Sequence, residues 1–402
     1  MNKSTQSDWW ARNNLGYRDG RLFLGEQDLS KLARAAGTPC FAYHAPRVIE
    51  KLDGLHNALD KHGVRHSIYY ALKANRYQPL LTYLRLKGNC GIDACSPREL
   101  LLARQVGFQE PEITYTGTSV SNRDLDVVAA HPEVQFNCDA ISTIHRLGER
   151  CPGRRIGLRV NPEASASYLE HISYAGEKAT KFGIYADRFE EALSVAESYD
   201  LHVTTLHFHS ALGYLNPQLD GFRTILDHVA GMLEKAPQVK CVDIGGGLGT
   251  PLRAEDAPLD LEAWAGLLAE FANPRQLEIQ IEPGDYLVKD AGALLVEVNS
   301  VEEKGGTCFV GVNAGFNLTN LHAFYRFPLV VTPLCLEPGA ETRKVTIAGN
   351  INEGVDTLAE DIEMPVVKEG DLMALLNIGG YSVSCGSDHC MRGDFSEYLI
   401  LD

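Results

Sequence analysis

The chain has 402 residues, enough for two domains, since single hydrophobic cores rarely grow beyond about 250–300 residues. Its 45% hydrophobic and 22% charged residues are typical of a globular protein, and a net charge of -16 argues against nucleic acid as a partner. No apolar run reaches the ~18 residues of a membrane helix and residues 1–12 do not resemble a signal peptide, so we expect a cytoplasmic protein without membrane contact.

Short apolar runs alternate with helix-like segments between residues 46 and 286. The predicted strands and helices of this part are, in chain order, strand 67–71, helix 96–106, strand 156–160, helix 187–199, and strands 203–208, 239–244 and 277–281. Alternating strands and helices predict a parallel sheet, and the length of the series is typical of an α/β barrel.

Residues 287–402 have a different pattern, in which strand-like runs follow one another with turns between them. These runs are 293–298, 308–312, 329–331, 343–347 and 372–376. They predict a C-terminal all-β domain. The extended segment 17–24 lies within an N-terminal segment, residues 1–45, that we expect to join this domain.

Two polar features follow predicted barrel strands, at the end where such barrels hold their active sites. Lys73 follows an apolar strand, where a partly desolvated amine can attack an aldehyde, although a surface lysine is equally compatible. In the strand Leu206-His207-Phe208-His209, alternation places both histidines on one side. A metal pair and a histidine stacked on a cofactor ring both fit this pattern.

Two more features lie at the same end of the predicted barrel. Gly245, Gly246 and Gly247 directly follow a strand, so their backbone amides can approach a phosphate closely, although a tight turn is an equal alternative. Glu282 follows the last predicted strand, where it is either a turn acid or the partner of a pyridine nitrogen that it keeps protonated. Together the four features form the parts of one cofactor site.

The ten cysteines show no paired zinc spacing, and we predict no metal site.

Further motifs accompany these features: Gly37-Thr38-Pro39, Gly91-Ile92-Asp93-Ala94, Arg159-Val160-Asn161-Pro162, Lys181-Phe182-Gly183-Ile184 and Tyr381. With them the chain resembles, from about Gly37 to its end, the alanine-racemase-fold decarboxylases, and most of all the diaminopimelate decarboxylases. The resemblance implies a pyridoxal 5'-phosphate cofactor held on Lys73 as a Schiff base. It also implies that the cofactor is bound by Asp93, Arg159, His209, Gly245, Gly246, Gly247, Glu282 and Tyr381, with His209 stacked on its ring.

The sequence departs from this family where a proton is returned to the substrate. The family loop Cys-Glu-Ser-x-Asp reads Asn352-Glu353-Gly354-Val355-Asp356, and the family cysteine is credited with protonating Cα. An amide cannot donate a proton in that way at useful cost. Besides Asn352, we therefore assign a catalytic role to His389, with Lys73 or water as alternative donors.

Other departures concern substrate recognition. Asp285 and Leu321 stand where the resemblance implies arginines that hold a distal carboxylate, each worth about 1.5–3 kcal/mol. Unless Arg326 or Arg392 takes over, a distal carboxylate is poorly held. Glu353 and Asp356 remain as partners for a distal ammonium, and Tyr325 is a further residue expected to contact the substrate.

The sequence thus predicts a pyridoxal-phosphate-dependent amino-acid α-decarboxylase of the diaminopimelate decarboxylase type with a different substrate, a diamino acid or the precursor of a specialised metabolite. The alternatives are a true meso-diaminopimelate decarboxylase making L-lysine, a racemase or a non-catalytic cofactor carrier on the same fold, and a metal hydrolase built around His207 and His209. The resemblance further implies a head-to-tail homodimer in which the loop around Asn352 and Glu353 acts in trans.

Overall fold

The computed structural model describes residues 9–169, 171–172, 174–176 and 178–402. They form two compact units. One, the barrel unit, comprises residues 49–250 and 257–286; the other, the β unit, comprises residues 9–48, 251–256 and 287–402. In the part of the chain that the model describes, no helix is long and apolar enough to cross a membrane.

The barrel unit is a closed ring of eight parallel strands. In chain order these are His66–Ala71, Gly91–Ala94, Ile113–Tyr115, Gln135–Cys138, Arg155–Arg159, His202–His207, Cys241–Asp243 and Glu278–Ile281. The last strand pairs with the first and closes the ring. The carboxyl ends of all eight strands therefore meet at one end of the barrel, and side chains that follow them converge there.

Helices alternate with these strands along the chain, at Ala45–Lys61, Gln78–Lys87, Pro97–Val106, Asn122–Ala129, Ile141–Gly148, Phe189–Ser198, Leu219–Glu234, Leu261–Ala272 and Asp285–Val288. The helix Pro97–Val106 shows why such segments begin and end where they do. Ser96 caps its start by accepting a hydrogen bond from the amide of Glu99, and Gly107 ends it in the left-handed region at φ 111°.

The β unit has one main sheet of eight strands. Six of them lie in the order Val330–Pro333, Leu372–Leu376, Gly292–Lys304, Thr307–Val312, Thr342–Ala348 and Thr357–Pro365. Cys40–His44 pairs with the start of Gly292–Lys304 and also with Ser396–Ile400. A short helix, Leu321–Phe324, lies between the strands in sequence.

The N-terminal residues build a small three-stranded sheet, Leu15–Arg18, Arg21–Leu24 and Gln27–Asp28, followed by the helix Leu29–Ala36. Buried side chains of this segment, such as Leu22 and Leu29, share one apolar core with Leu295 and Leu376 of the main sheet. Burial of that shared surface attaches the N-terminal segment to the β unit.

The α/β barrel and the C-terminal β domain expected from sequence are confirmed. The pattern overlooked three barrel strands, Gly91–Ala94, Ile113–Tyr115 and Gln135–Cys138, and the β-unit strands Cys40–His44, Thr357–Pro365 and Ser396–Ile400. The predicted strand 203–208 ends at His207, and the run 293–298 is part of a strand of 13 residues.

Candidate active site

Lys73 lies in a short 3-10 turn, Leu72–Ala74, that directly follows the first barrel strand. Its Nζ is 2.6 Å from Oδ2 of Asp93, whose side chain is buried on the next strand. Burial and the charge of Glu282 together raise the pKa of Asp93 to about 7, against the opposing effect of Lys73. The lysine side chain is 40% exposed, so its amine is anchored at one side while it remains accessible.

Glu282 directly follows the last barrel strand and is buried. Its oxygens accept hydrogen bonds from Nε2 of His207 at 3.2 Å and from Oγ1 of Thr114 at 3.4 Å. Burial alone would raise the pKa of Glu282, but the neighbouring side chains of His207, Lys73 and Asp243 outweigh it and lower the pKa to about 2. The barrel therefore carries an ionised carboxylate at its carboxyl end.

His207 and His209 have different environments. The strand ends at His207, so the alternation that would place both rings on one side does not extend to His209. Burial lowers the pKa of His207. Its Nδ1 meets no partner among the residues described, so protonation there would bury an unpaired N–H, and the neutral ring donates from Nε2 to Glu282.

His209 makes an edge-to-face contact with the ring of Tyr174, with ring centroids 4.6 Å apart. Burial, together with the charges of Arg159 and Lys73, lowers the pKa of His209 to about 3. A neutral imidazole beside a cationic pair can present its flat face to another ring without adding positive charge.

The segment Gly245 to Gly247 has room only for glycine. A Cβ would lie 2.6 Å from a backbone oxygen at Gly245, 2.5 Å at Gly246 and 2.7 Å at Gly247. Gly245 and Gly247 also have positive φ values, 64° and 104°. Within the described chain, the amides of Gly246 and Gly247 donate to no protein group, so they can bind an anion.

Arg159 ends the strand Arg155–Arg159 and is buried. Its guanidinium lies 4.6 Å from the ring centroid of Phe182, donates to Oγ1 of Thr118 at 3.3 Å and stands 3.9 Å from Asp139. Burial lowers the pKa of Arg159, but a guanidinium group keeps its charge in proteins. Arg159 thus adds a fixed positive charge to the same end of the barrel.

The remaining predicted residue of the barrel unit, Asp285, begins the helix Asp285–Val288 and is half-buried. In the β unit, Leu321 begins a short helix and is only 1% exposed. Tyr325 follows that helix and stacks on Phe327, and Tyr381 has a left-handed backbone at φ 54°.

Within the β unit, the loop 352–356, which differs from the family pattern at Asn352, contacts the C-terminal segment at His389. Oε1 of Glu353 is 3.4 Å from Nε2 of His389, and the His389 ring contacts Phe316 at a centroid distance of 5.4 Å. Asn352 and Glu353 are both exposed, whereas Asp356 is buried. The structure therefore brings Glu353 and His389 together.

Sequence reasoning did not select Asp243 and Ser210. Asp243 ends a barrel strand with no exposed surface, and Ser210 follows His209 with a buried hydroxyl that has no partner among the described residues. Their positions in the sequence could have identified them, because Asp243 lies just before the glycine segment and Ser210 just after His209, each at the carboxyl end of a barrel strand.

Comparison with known proteins identifies the family of this chain. Residues 46–289 match the model of the pyridoxal-dependent decarboxylase, pyridoxal binding domain, and residues 267–379 match that of the pyridoxal-dependent decarboxylase, C-terminal sheet domain. The chain belongs to the pyridoxal-dependent decarboxylase family. It is thus a carboxy-lyase with pyridoxal phosphate as its cofactor, which displaces the racemase, carrier and metal-hydrolase alternatives.

Relatives in this decarboxylase family cover nearly the whole chain. Diaminopimelate decarboxylase of Methanothermobacter thermautotrophicus is 34% identical over 95% of this chain and 91% of its own. Diaminopimelate decarboxylase of Aquifex aeolicus is 29% identical over 96% and 92%. A crystal structure from Aquifex aeolicus superimposes with a TM-score of 0.86 at 27% identity, covering 96% of this chain and 92% of its own.

The residues at the carboxyl end of the barrel fit this cofactor. The glycine segment offers unpaired amides and a cradle that any Cβ would fill, which suits a phosphate. Lys73 supplies an accessible amine for the aldehyde, and Glu282 supplies a buried negative charge for the ring nitrogen.

Proposed function

We propose that this decarboxylase removes the α-carboxylate of an amino acid that carries a distal amine rather than a distal carboxylate. The observation that carries the proposal is the side chain of Leu321, which is buried in the β unit and offers no charge where the resemblance implies an arginine. Asp285 supplies a carboxylate at the second such position. Two attractive charges are thereby lost, and one repulsive charge is added.

Glu353 supports a cationic distal group. It is exposed, carries a negative charge and follows Asn352, which stands in the place of the family cysteine. A carboxylate that meets an ammonium forms a charge-assisted hydrogen bond, worth about 1.5–3 kcal/mol when it is shielded from water.

In the proposed site, Lys73 would hold the cofactor through Nζ, and the amides of Gly246 and Gly247, with the hydroxyl of Ser210, would hold its phosphate. The neutral His209 ring supports one face of the cofactor, and Glu282 holds a proton at its ring nitrogen. Further cofactor contacts are assigned to Asp93, Arg159 and Tyr381. When bound, pyridoxal phosphate supplies the electron sink for the electron pair left by departing carbon dioxide.

A proton must then reach Cα, and we assign its delivery to His389. Nε2 of His389 lies 3.4 Å from Oε1 of Glu353, so the carboxylate can orient the imidazole. Asn352, in the place of the family cysteine, orients the substrate through its amide.

The second candidate substrate is meso-diaminopimelate, which the names of the relatives favour. Purified holoenzyme should be supplied in parallel with meso-diaminopimelate, glutamate, lysine, ornithine and shorter diamino acids, and released carbon dioxide should be measured. We expect turnover of a diamino monocarboxylate. Rapid turnover of meso-diaminopimelate with none of the diamino monocarboxylates would refute the proposed substrate class while leaving the decarboxylase chemistry intact.

We further propose that two copies assemble head to tail, with the loop around Asn352 and Glu353 of one copy contributing to the site of the other. The resemblance to the family supports this arrangement, and the exposure of the loop is compatible with it.

A further inference from the structure

Asp243, Gly245 and Glu282 form a closed ring of contacts inside the barrel. The amide of Gly245 donates to Oδ1 of Asp243 at 2.9 Å, and the amide of Glu282 donates to the carbonyl of Gly245 at 2.8 Å. Side-chain atoms of Asp243, Glu282 and His207 lie within 4.8 Å of one another and complete the ring. One carboxyl group thus adjoins both the first glycine of the proposed phosphate loop and the proposed partner of the ring nitrogen.

Two carboxyl groups this close, both buried, cannot both be ionised at reasonable cost. Oδ2 of Asp243 has no hydrogen-bond donor among the described residues, and Asp243 has no exposed surface. Glu282, in contrast, accepts hydrogen bonds from His207 and Thr114, which stabilise its charged form. The single proton of the pair therefore belongs on Asp243.

The direction of the pKa shifts agrees with this placement. Burial raises the pKa of Asp243 well above its usual value, and the charge of Glu282 adds to the increase, against the opposing hydrogen bond from Gly245. The charged and titratable groups that act on the pair include His207, Lys73, Asp93, Arg159 and Tyr69.

We propose that Asp243 is a positioning residue that stays protonated and donates from Oδ2 to Glu282, fixing the orientation of that carboxylate relative to the glycine loop. The inference rests on the proposed role of Glu282. It implies that the side chain of Asp243 holds Gly245, at the phosphate end of the cofactor, and Glu282, at its ring nitrogen, at a constant separation.

A protonated acid and a carboxamide offer the same bonds here, which makes the proposal testable. Asp243→Asn keeps an oxygen for the Gly245 amide and an N–H for Glu282. Asp243→Leu has a similar volume and keeps neither bond. Gln280→Met is the matched control, because Gln280 lies beside Asp243 on the next strand and its buried amide is hydrogen-bonded to Gln135 rather than to Asp243 or Glu282.

The dissociation constant of each apoprotein for pyridoxal 5'-phosphate, with thermal stability in parallel, decides between the possibilities. We expect Asp243→Asn to bind the cofactor within about threefold of the wild type, and Asp243→Leu to bind at least about tenfold more weakly, as loss of a hydrogen bond to a charged group predicts. Gln280→Met should lose stability without losing affinity. Equal loss in Asp243→Asn and Asp243→Leu would show that Asp243 acts as an ionised carboxylate, and an unchanged Asp243→Leu would show that it positions nothing.

An infrared measurement tests the proton itself without cofactor or turnover. In D2O at neutral pH, wild-type apoprotein minus Asp243→Asn should show the carbonyl band of a protonated carboxylic acid, and its absence would overturn the proposal. This test also decides the matter if Asp243→Leu does not fold. A wild-type protein that releases carbon dioxide from no amino acid would refute the function proposed above, yet the infrared band would still identify the protonated acid.

Discussion

His209 illustrates how one residue ties the stability of the site to pH. Burial and the charges of Arg159 and Lys73 lower its pKa to about 3, while the unfolded chain has a value near 6.5. Because this pKa is lower in the folded chain than in the unfolded one, the contribution of the neutral His209 ring to the free energy of unfolding is fully present above pH 6.5. It is lost as the pH falls towards 3, because the unfolded chain binds a proton that the folded chain refuses.

Replacing His209 by phenylalanine removes this proton while keeping an aromatic ring. We expect the free energy of unfolding of His209→Phe apoprotein to increase relative to wild type as the pH falls from 6.5 to 4, by up to about 1.4 kcal/mol per pH unit. Urea unfolding at several pH values measures it. The control is His202→Phe, at the exposed start of the strand that ends two residues before His209, and it should show no such pH-dependent difference. If the difference in free energy of unfolding between His209→Phe and wild type did not change with pH, the wild-type His209 ring would bind a proton as readily in the folded chain as in the unfolded one.

Residue-level prediction from sequence was limited by what a linear pattern can show. Lys73, Glu282 and the glycine segment follow apolar strands, so position alone could place them at one end of a barrel. The protonation state of Asp243 depends on Glu282, 39 positions further along, and only the closed sheet brings the two together. The neutral state of His207 depends likewise on a missing partner for Nδ1, which no sequence pattern reveals.

Among the elements, the loop from Gly349 to Asp356 is shaped by one buried carboxylate. Oδ1 of Asp356 accepts from the amide of Phe316 and Oδ2 from that of Ile351, both at 2.7 Å. A Cβ on Gly349 would lie 2.2 Å from Oδ2, so glycine is needed for this approach. Because both of its oxygens accept from backbone amides, Asp356 supports the loop that presents Asn352 and Glu353. Of the two acids expected to bind a distal ammonium, we therefore assign that role to Glu353 and not to Asp356.

Asp356→Asn tests this support. The variant keeps one acceptor but turns its amide nitrogen towards a backbone N–H, so a buried donor loses its partner, at a cost of about 1–3 kcal/mol. We expect urea unfolding to show a loss of that size. Asp361→Asn is the control, since Asp361 is exposed and its left-handed backbone, at φ 53°, accommodates asparagine equally well. Equal stability of the two variants would contradict a structural role for Asp356.

The three barrel strands that the sequence did not predict share a physical cause. The barrel strands Gly91–Ala94, Ile113–Tyr115 and Gln135–Cys138 have only three or four residues, and polar side chains such as Asn137 face the barrel interior. Asn137 donates to Oγ1 of Thr116 there, so a buried position carries a polar residue and breaks the apolar pattern. The strands that were predicted lie in runs of five or six residues, such as 203–208 and 239–244, whose apolar positions can be recognised without help from neighbouring strands.

At the scale of the whole molecule, the β-unit loop with Glu353 and the barrel site with Lys73 belong to separate compact units of the chain. If the proposed head-to-tail dimer is correct, each catalytic site combines Lys73 of one copy with Glu353 of the other. A Lys73→Ala copy and a Glu353→Ala copy would then be inactive alone, but their hybrid dimer would contain one site with both residues intact.

Mixing the two variants under conditions that allow subunit exchange should therefore restore carbon dioxide release. Mixing Lys73→Ala with Glu282→Ala should restore none, because both changes lie in the barrel unit and every hybrid site then keeps one defect. Exchange itself is followed with subunits that carry different labels. If carbon dioxide release recovers in the first mixture but not in the second, residues of two chains must act on one substrate. Failure of recovery in the first mixture, despite proven exchange, would mean that each chain supplies its own complete site.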